Sequence, residues 1–138
     1  MALGPAAKEK NVLIIDDEKL IAMDIKKIVT SEGHDVITTH SGIEASRAIE
    51  DSNIDLVFLD LVLPDITGVE VLKEIKKTKS GLPVVITTGY PDSEIMNQAL
   101  ELGPISVLKK PFSRDQIRDL LKILLAPATG TGRTKSRQ

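Results

Sequence analysis

Short aliphatic runs alternate along this chain with longer stretches in which apolar and polar residues are spaced as on a helix. The aliphatic runs are rich in Val, Ile and Leu and mostly continuous, a pattern typical of strands that are buried on both faces of a parallel sheet. They predict five strands, at residues 12–15, 35–39, 56–59, 84–87 and 106–108.

The intervening stretches predict five helices. The first places Ile21, Ile25, Ile28 and Val29 on one face and ends near Gly33. The others are predicted at 43–51 behind an N-cap at Ser41, at 69–79, from after Ser93 to Gly103-Pro104, and at 114–125 behind Ser113. Five strands alternating with five helices indicate a three-layer α/β domain with a parallel sheet.

The composition narrows the classes of function. The length of 138 residues fits one domain, which we expect at 10–126, with a loose leader at 1–9 and a flexible tail or truncated linker at 127–138. A net charge of −2 and only three aromatic residues argue against nucleic acid or an anionic membrane as partner. The absence of cysteine excludes thiol chemistry, and without an apolar span or signal pattern we expect a cytoplasmic protein.

Three carboxylates follow two of the predicted strands. Asp16 and Asp17 come directly after the first strand, and Asp60 comes directly after the third. If the two strands are neighbours, their carboxyl ends bring the three like charges together, an arrangement that favours a divalent cation between them. Asp17 and Asp60 would then ligate Mg²⁺ directly, Asp16 would act through water, and the loop at Leu61-Val62 would add a backbone carbonyl.

Two further strand ends carry groups suited to phosphate chemistry. Asp60 would keep one oxygen as a nucleophile toward a phosphoryl group. Thr88 after the fourth strand can donate a hydroxyl, and Lys109 or Lys110 after the fifth can supply a cation. Residue type alone does not decide between the two lysines, because neighbouring strand residues point to opposite faces.

Five fragments together resemble the receiver domain of two-component response regulators over about residues 10–126. They are Asp16-Asp17, Asp60 with Leu61-Val62-Leu63-Pro64, Gly68, Thr88-Gly89 and Lys110-Pro111-Phe112. The resemblance implies a flavodoxin-like (βα)5 fold with strand order 2-1-3-4-5. It also implies a cis Lys110–Pro111 peptide and a need for a small residue at Gly89.

The resemblance assigns roles to the site residues. Asp60 would accept a phosphoryl group from a histidine kinase or a histidine phosphotransfer protein. Asp16, Asp17, Asp60 and the backbone carbonyl of Val62 would hold Mg²⁺, while Thr88 and Lys110 would contact the phosphoryl group.

The same resemblance implies partners. Phosphorylation would change a surface on the fourth and fifth helices that binds an output protein or domain, and it admits a phosphorylation-dependent homodimer. Neither nucleic acid nor membrane is expected to bind this domain, and the chain would be a self-modifying switch rather than a turnover enzyme.

One position departs from the family: receivers commonly have Tyr or Phe three residues before the lysine, and here Val107 occupies that position.

Alternatives remain at this point. A receiver-fold binding module that does not switch would fit Val107, whereas an aspartyl phosphatase would need Asp-x-Asp and a cap domain, which the chain lacks. Val62 and Tyr90 either tune the access of water to the site or are ordinary loop residues. We expect His34 and His40 to be surface residues without a ligand role, and Thr129-Gly130-Thr131-Gly132 to be linker.

Overall fold

The computed structural model describes residues 9–103 and 105–125, which form a five-stranded parallel sheet covered by helices on both faces. The strands are β1 (Asn11–Ile15), β2 (Asp35–Thr39), β3 (Leu56–Asp60), β4 (Val84–Thr88) and β5 (Ser106–Lys109). The helices are α1 (Lys19–Ser31), α2 (Gly42–Asp51), α3 (Gly68–Thr78), α4 (Glu94–Leu100) and α5 (Arg114–Leu124). The strand order is β2-β1-β3-β4-β5, so the predicted fold class is confirmed.

The pleat of the strands divides the core into two clusters. Leu13 and Ile15 of β1 face one cluster with residues of α2, α3 and α4, whereas Val12 and Ile14 face the other with residues of α1 and α5. Side chains alternate across a strand, so a strand that is apolar on both faces holds helices on both sides. All five positions of β3 are buried, as expected for the central strand.

Side-chain caps fix where most of the helices begin. Ser41, Thr67, Ser93 and Ser113 each accept a hydrogen bond from the backbone N–H three residues later. At Ser113 the bond is reciprocal, because the Gln116 side chain accepts from the Ser113 backbone N–H. The predicted caps at Ser41 and Ser113 are confirmed.

Helix α4 is shorter than predicted. It ends at Leu100, and the chain then turns through bonds from Leu102 N to the Ala99 carbonyl and from Gly103 N to the Leu100 carbonyl. These hydrogen bonds from residue i+3 to residue i tighten the last turn of the helix. Gly103 has a φ of +119°, a backbone conformation that glycine adopts more readily than other residues. Pro104, part of the predicted stop, lies outside the described residues.

The carboxyl ends of the strands carry the polar residues. Strands β3, β4 and β5 each run one residue further than predicted and include Asp60, Thr88 and Lys109. The predicted leader and tail fall almost wholly outside the described residues. Within residues 9–103 and 105–125, no helix has the length and apolar character needed to cross a membrane.

Candidate metal centre at the carboxyl edge of the sheet

Three carboxylates meet where β1 and β3 end side by side. Asp16, Asp17 and Asp60 each offer an oxygen, and these oxygens lie within 4.8 Å of one another. Asp16 and Asp60 are buried, whereas Asp17 is exposed. The strands pair through Ile15 and Leu59, which explains why residues so distant in sequence converge.

Only one of the two carboxylate oxygens of Asp16 has a hydrogen-bond partner. Its Oδ1 accepts from the Glu18 N–H at 2.9 Å, but its buried Oδ2 has no hydrogen-bond partner. Burial raises the pKa of Asp16 to about 6; the Glu18 N–H opposes this shift, and the charge of Asp60 adds to it. Asp16 is therefore a carboxylate that gains from a nearby cation.

Lys110 is the cation at this edge. Its Nζ lies 3.1 Å from Asp60 Oδ2, 3.3 Å from Asp16 Oδ2 and 3.1 Å from Glu18 Oε1. The contact with Asp16 is an ion contact without hydrogen-bond geometry, which is why that oxygen still lacks a partner. Burial by itself would lower the pKa of Lys110, but the charges of Asp16 and Asp60 outweigh it and the pKa is raised.

The backbone positions this lysine. The Lys110 N–H donates to the Thr88 carbonyl at 2.7 Å, and the Lys110–Pro111 peptide is cis, as predicted. Lys109, the other candidate, is exposed and makes no ion pair with the three carboxylates. The structure therefore places Lys110 beside the carboxylates.

Asp60 is fixed by the loop that follows it. Its Oδ1 accepts from the Val62 N–H at 3.0 Å, and its Oδ2 accepts from Lys110. The loop closes through a bond from Gly68 N to the Leu61 carbonyl at 2.8 Å. The structure gives Val62 an amide contact with Asp60, and the ligand role of its carbonyl stays a prediction.

A solvent-open cavity of about 490 Å³ lies above Asp60. Thr88 is buried at its floor, and the Thr88 Oγ1 accepts from the Tyr90 N–H at 2.9 Å. Val62 and Tyr90 are exposed on the cavity wall, with 64% and 75% of their surface accessible. The lining residues are Asp17, Glu18, Asp60, Val62, Thr88, Gly89, Tyr90 and Lys110.

The donor set fits a hard divalent cation. All three side chains offer carboxylate oxygens, and the unpartnered Oδ2 of Asp16 is the kind of buried polar atom that a ligand would satisfy. Lys110 supplies one positive charge against the carboxylates of Asp16, Asp60 and Glu18. Asp17 adds a fourth carboxylate, and a divalent ion would offset most of the remaining negative charge.

Two residues near the site were missed from the sequence. Glu18 follows the aspartate pair directly, and that acidic run was the available signal; its carboxylate binds Lys110. His40 is not the simple surface residue that we expected, because it is half-buried and its Nδ1 lies 2.9 Å from the Asp16 carbonyl oxygen. His34, which we also expected at the surface, is likewise half-buried, and it accepts from the Lys10 N–H at 3.2 Å, away from the site.

Comparison with known proteins identifies the family of this chain. The family model described as the response regulator receiver domain matches residues 12–122. Sporulation initiation phosphotransferase F of Bacillus subtilis is 31% identical over 113 residues, which cover 82% of this chain and 91% of that protein. The transcriptional regulatory protein PhoP for alkaline phosphatase synthesis, also of Bacillus subtilis, is 33% identical over 84% of this chain but only 48% of its own length.

A solved structure shows the same fold. The CheY-like receiver domain protein of Methanospirillum hungatei JF-1 superposes with a TM-score of 0.81 at 29% identity, covering 86% of this chain and 94% of that one. The acidic edge, the adjacent lysine and the strand order thus occur in a chain whose family is shown by sequence and by structure. This chain belongs to the response regulator receiver domain family.

Proposed function

We propose that this protein accepts a phosphoryl group on Asp60 in a Mg²⁺-dependent reaction and then changes a protein-binding surface. The observation that carries the proposal is the convergence of Asp16, Asp17 and Asp60 within 4.8 Å beside a solvent-open cavity, with Lys110 in contact with two of them. The donor would be a histidine kinase or a histidine phosphotransfer protein, in keeping with the family.

The chain's own residues account for most of the transfer. An Asp60 oxygen attacks phosphorus, the bond from phosphorus to the donor breaks, and its electron pair leaves with the donor group. The Val62 N–H and the Lys110 ammonium hold the Asp60 carboxylate in place. The Thr88 hydroxyl at the cavity floor would donate to a phosphoryl oxygen, and Lys110 would exchange its bond to Asp60 for one to the phosphoryl group.

Asp16, Asp17, Asp60 and the Val62 carbonyl would hold Mg²⁺. When bound, the ion neutralises negative charge on the carboxylates and on the phosphoryl oxygens. Because Asp60 is itself modified, the protein would act as a switch and not as a turnover enzyme.

Labelling tests this function. The parent protein, incubated with Mg²⁺ and a small acyl-phosphate donor, should gain one phosphoryl group by intact mass. Asp60→Asn should gain none, whereas Asp119→Asn, a matched change on the exposed face of α5, should label like the parent. Equal labelling of Asp60→Asn, or repeated turnover of a phosphomonoester, would contradict the proposal.

A second candidate, a binding module that does not switch, is favoured by one observation. Val107 of β5 is 41% exposed, and a valine lacks the bulk with which the family's usual aromatic reports on the threonine. NMR spectra with and without beryllofluoride, a phosphoryl mimic, separate the candidates. Chemical-shift changes on α4, β5 and α5 support the switch, whereas changes confined to the cavity residues support the module. Sedimentation of the same samples tests whether the protein forms a phosphorylation-dependent homodimer.

A further inference from the structure

The N-terminal turn of α2 makes hydrogen bonds to a loop that comes from another strand. Asp65, in the loop between β3 and α3, accepts from the Gly42 N–H at 2.8 Å through Oδ1 and from the Ile43 N–H at 2.9 Å through Oδ2. Its Oδ1 also accepts from the Ile66 N–H at 2.9 Å. A side chain from outside α2 thus satisfies two of the free N–H groups at that helix end.

The packing at this contact is close. A Cβ on Gly42 would overlap the Ile66 side chain and lie 3.3 Å from Asp65 Oδ1. Ile66 in turn packs against the core cluster under α2 and α3. The loop and the helix end are therefore joined by charge-assisted hydrogen bonds and by direct apolar contact.

The same turn of α2 reaches the other acidic loop through His40. The His40 Nδ1 lies 2.9 Å from the Asp16 carbonyl oxygen, and since a carbonyl only accepts, Nδ1 carries the hydrogen. The His40 N–H donates to Glu44 Oε1 at 2.9 Å, and Ser41 caps the helix. His40 is thereby tied to α2 on one side and to Asp16 on the other.

His40 contacts one of the loops that carry the site carboxylates and Asp65 lies in the other, but neither bonds to the carboxylates themselves. The loop that contains Asp65 also contains Val62, whose N–H binds the Asp60 carboxylate. His40 binds the backbone of Asp16 itself. The carboxylates at this edge outnumber the single positive charge of Lys110, which contacts both Asp16 and Asp60, and the excess negative charge of the metal-free cluster acts to separate the two loops.

We propose that His40 and Asp65 are positioning residues that brace the Asp16 and Asp60 loops against the N-terminal turn of α2 and so preserve the spacing that binds Mg²⁺. The inference rests on the proposed function, because it assigns these residues to the metal step of that reaction. Neither residue touches the ion; each acts through a neighbour, as partners behind metal ligands do.

Mg²⁺ affinity of the full chain, measured by calorimetric titration, tests the brace. Asp65→Asn keeps the shape of the side chain but cannot accept from both helix amides, and it should weaken Mg²⁺ binding by about 10-fold or more. His40→Ala should do the same, whereas His40→Asn, whose amide N–H can replace Nδ1–H, should restore most of the affinity. Asp119→Asn, the exposed control, should bind like the parent.

Amide exchange of the metal-free proteins provides the second measurement. The Val62 and Gly42 N–H groups should exchange faster in Asp65→Asn and in His40→Ala while the β1 and β3 amides stay protected. Unchanged Mg²⁺ affinity in both variants, with a parent that binds, would overturn the brace even if their melting temperatures fell. A parent that does not bind Mg²⁺ would refute the proposed function and the brace with it.

Discussion

Asp16 is the residue at which the stability of the metal-free protein and the chemistry of its site conflict. It is only 1% exposed, its Oδ2 lacks a hydrogen bond, and its pKa is raised to about 6 by burial and by the charge of Asp60. Its ionised form is therefore destabilising even beside Lys110, and a second cation would stabilise it. Asp16 therefore lowers the stability of the metal-free protein at neutral pH, a cost that functional sites commonly carry.

The first prediction concerns the pH dependence of stability without metal. Because the folded state holds the Asp16 proton more tightly than the unfolded state, the free energy of unfolding should fall as the pH rises from about 4 to about 6. Below this window both states are protonated; above it both are ionised, and the loss is constant at about 3 kcal/mol. Urea titrations of the metal-free protein at several pH values measure the free energy of unfolding.

Asp16→Asn is the matched variant for that experiment. It should lack this component of the pH profile and exceed the parent in stability at pH 7, while Asp119→Asn should follow the parent. Superimposable profiles of the parent and Asp16→Asn would show that Asp16 does not carry the penalty.

The second prediction concerns the lifetime of the phosphoryl group. Tyr90 and Val62 line the same cavity as Asp60, and we expect truncation of Tyr90 to give water easier access to Asp60. Tyr90→Ala should shorten the lifetime by about threefold or more, which is about 0.7 kcal/mol in the barrier to hydrolysis. The loss of the phosphoryl group over time is measured by intact mass. Ile123→Ala, a change at a similarly exposed residue of α5, is the control. Equal lifetimes in Tyr90→Ala and the parent would show that Tyr90 is an ordinary loop residue.

At the scale of elements, the loop between β3 and α3 owes its shape to close backbone contacts. A Cβ on Gly68 would lie 2.6 Å from the Asp60 carbonyl oxygen and 2.6 Å from the Leu61 Cα. Backbone atoms cannot move aside as a flexible side chain can. The helix α3 therefore begins directly against the strand end that carries Asp60.

The third prediction follows from this contact. Gly68→Ala should lower the free energy of unfolding by about 1–3 kcal/mol, because the loop must shift to accept the methyl group. Gly81→Ala, at a position with open space and no positive φ, should change stability little. Chemical denaturation of both variants measures the difference, and equal stability would mean that the loop yields at little cost.

The elements were largely predictable because each has a local signal. Continuous aliphatic runs mark the strands, and Ser41 and Ser113 mark two helix starts. The end of α4 was not predictable to the residue, since the last turn changes to shorter hydrogen bonds that no residue type announces.

The site was predictable where a change from apolar to acidic residues marks a strand end, as at Asp16 and Asp60. Choosing Lys110 over Lys109 needed the family pattern. The contacts of His40 and Asp65 were not predictable, because each binds backbone atoms that lie more than twenty positions away in the sequence. Such partners leave no mark in residue type or spacing.

At the scale of the whole molecule, a bound ion should stabilise every part of the fold that converges on the site. The fourth prediction is that Mg²⁺ at one hundred times its dissociation constant raises the free energy of unfolding by about 2.7 kcal/mol. Thermal melts in a magnesium series measure this. Asp17→Asn, at an exposed residue, should fold like the parent and lose the effect; a parent indifferent to Mg²⁺ would contradict the metal site.

The bond between Lys110 and Glu18 joins residues that are 92 positions apart. The ion pairs of Lys110 with the carboxylates near β1 and β3 therefore form only after the chain has been synthesised past β5, because the lysine follows that strand. A nascent or truncated polypeptide would display the aspartates without their counter-charge. The full set of charges at this edge of the sheet is thus assembled only when β5 has joined the other strands.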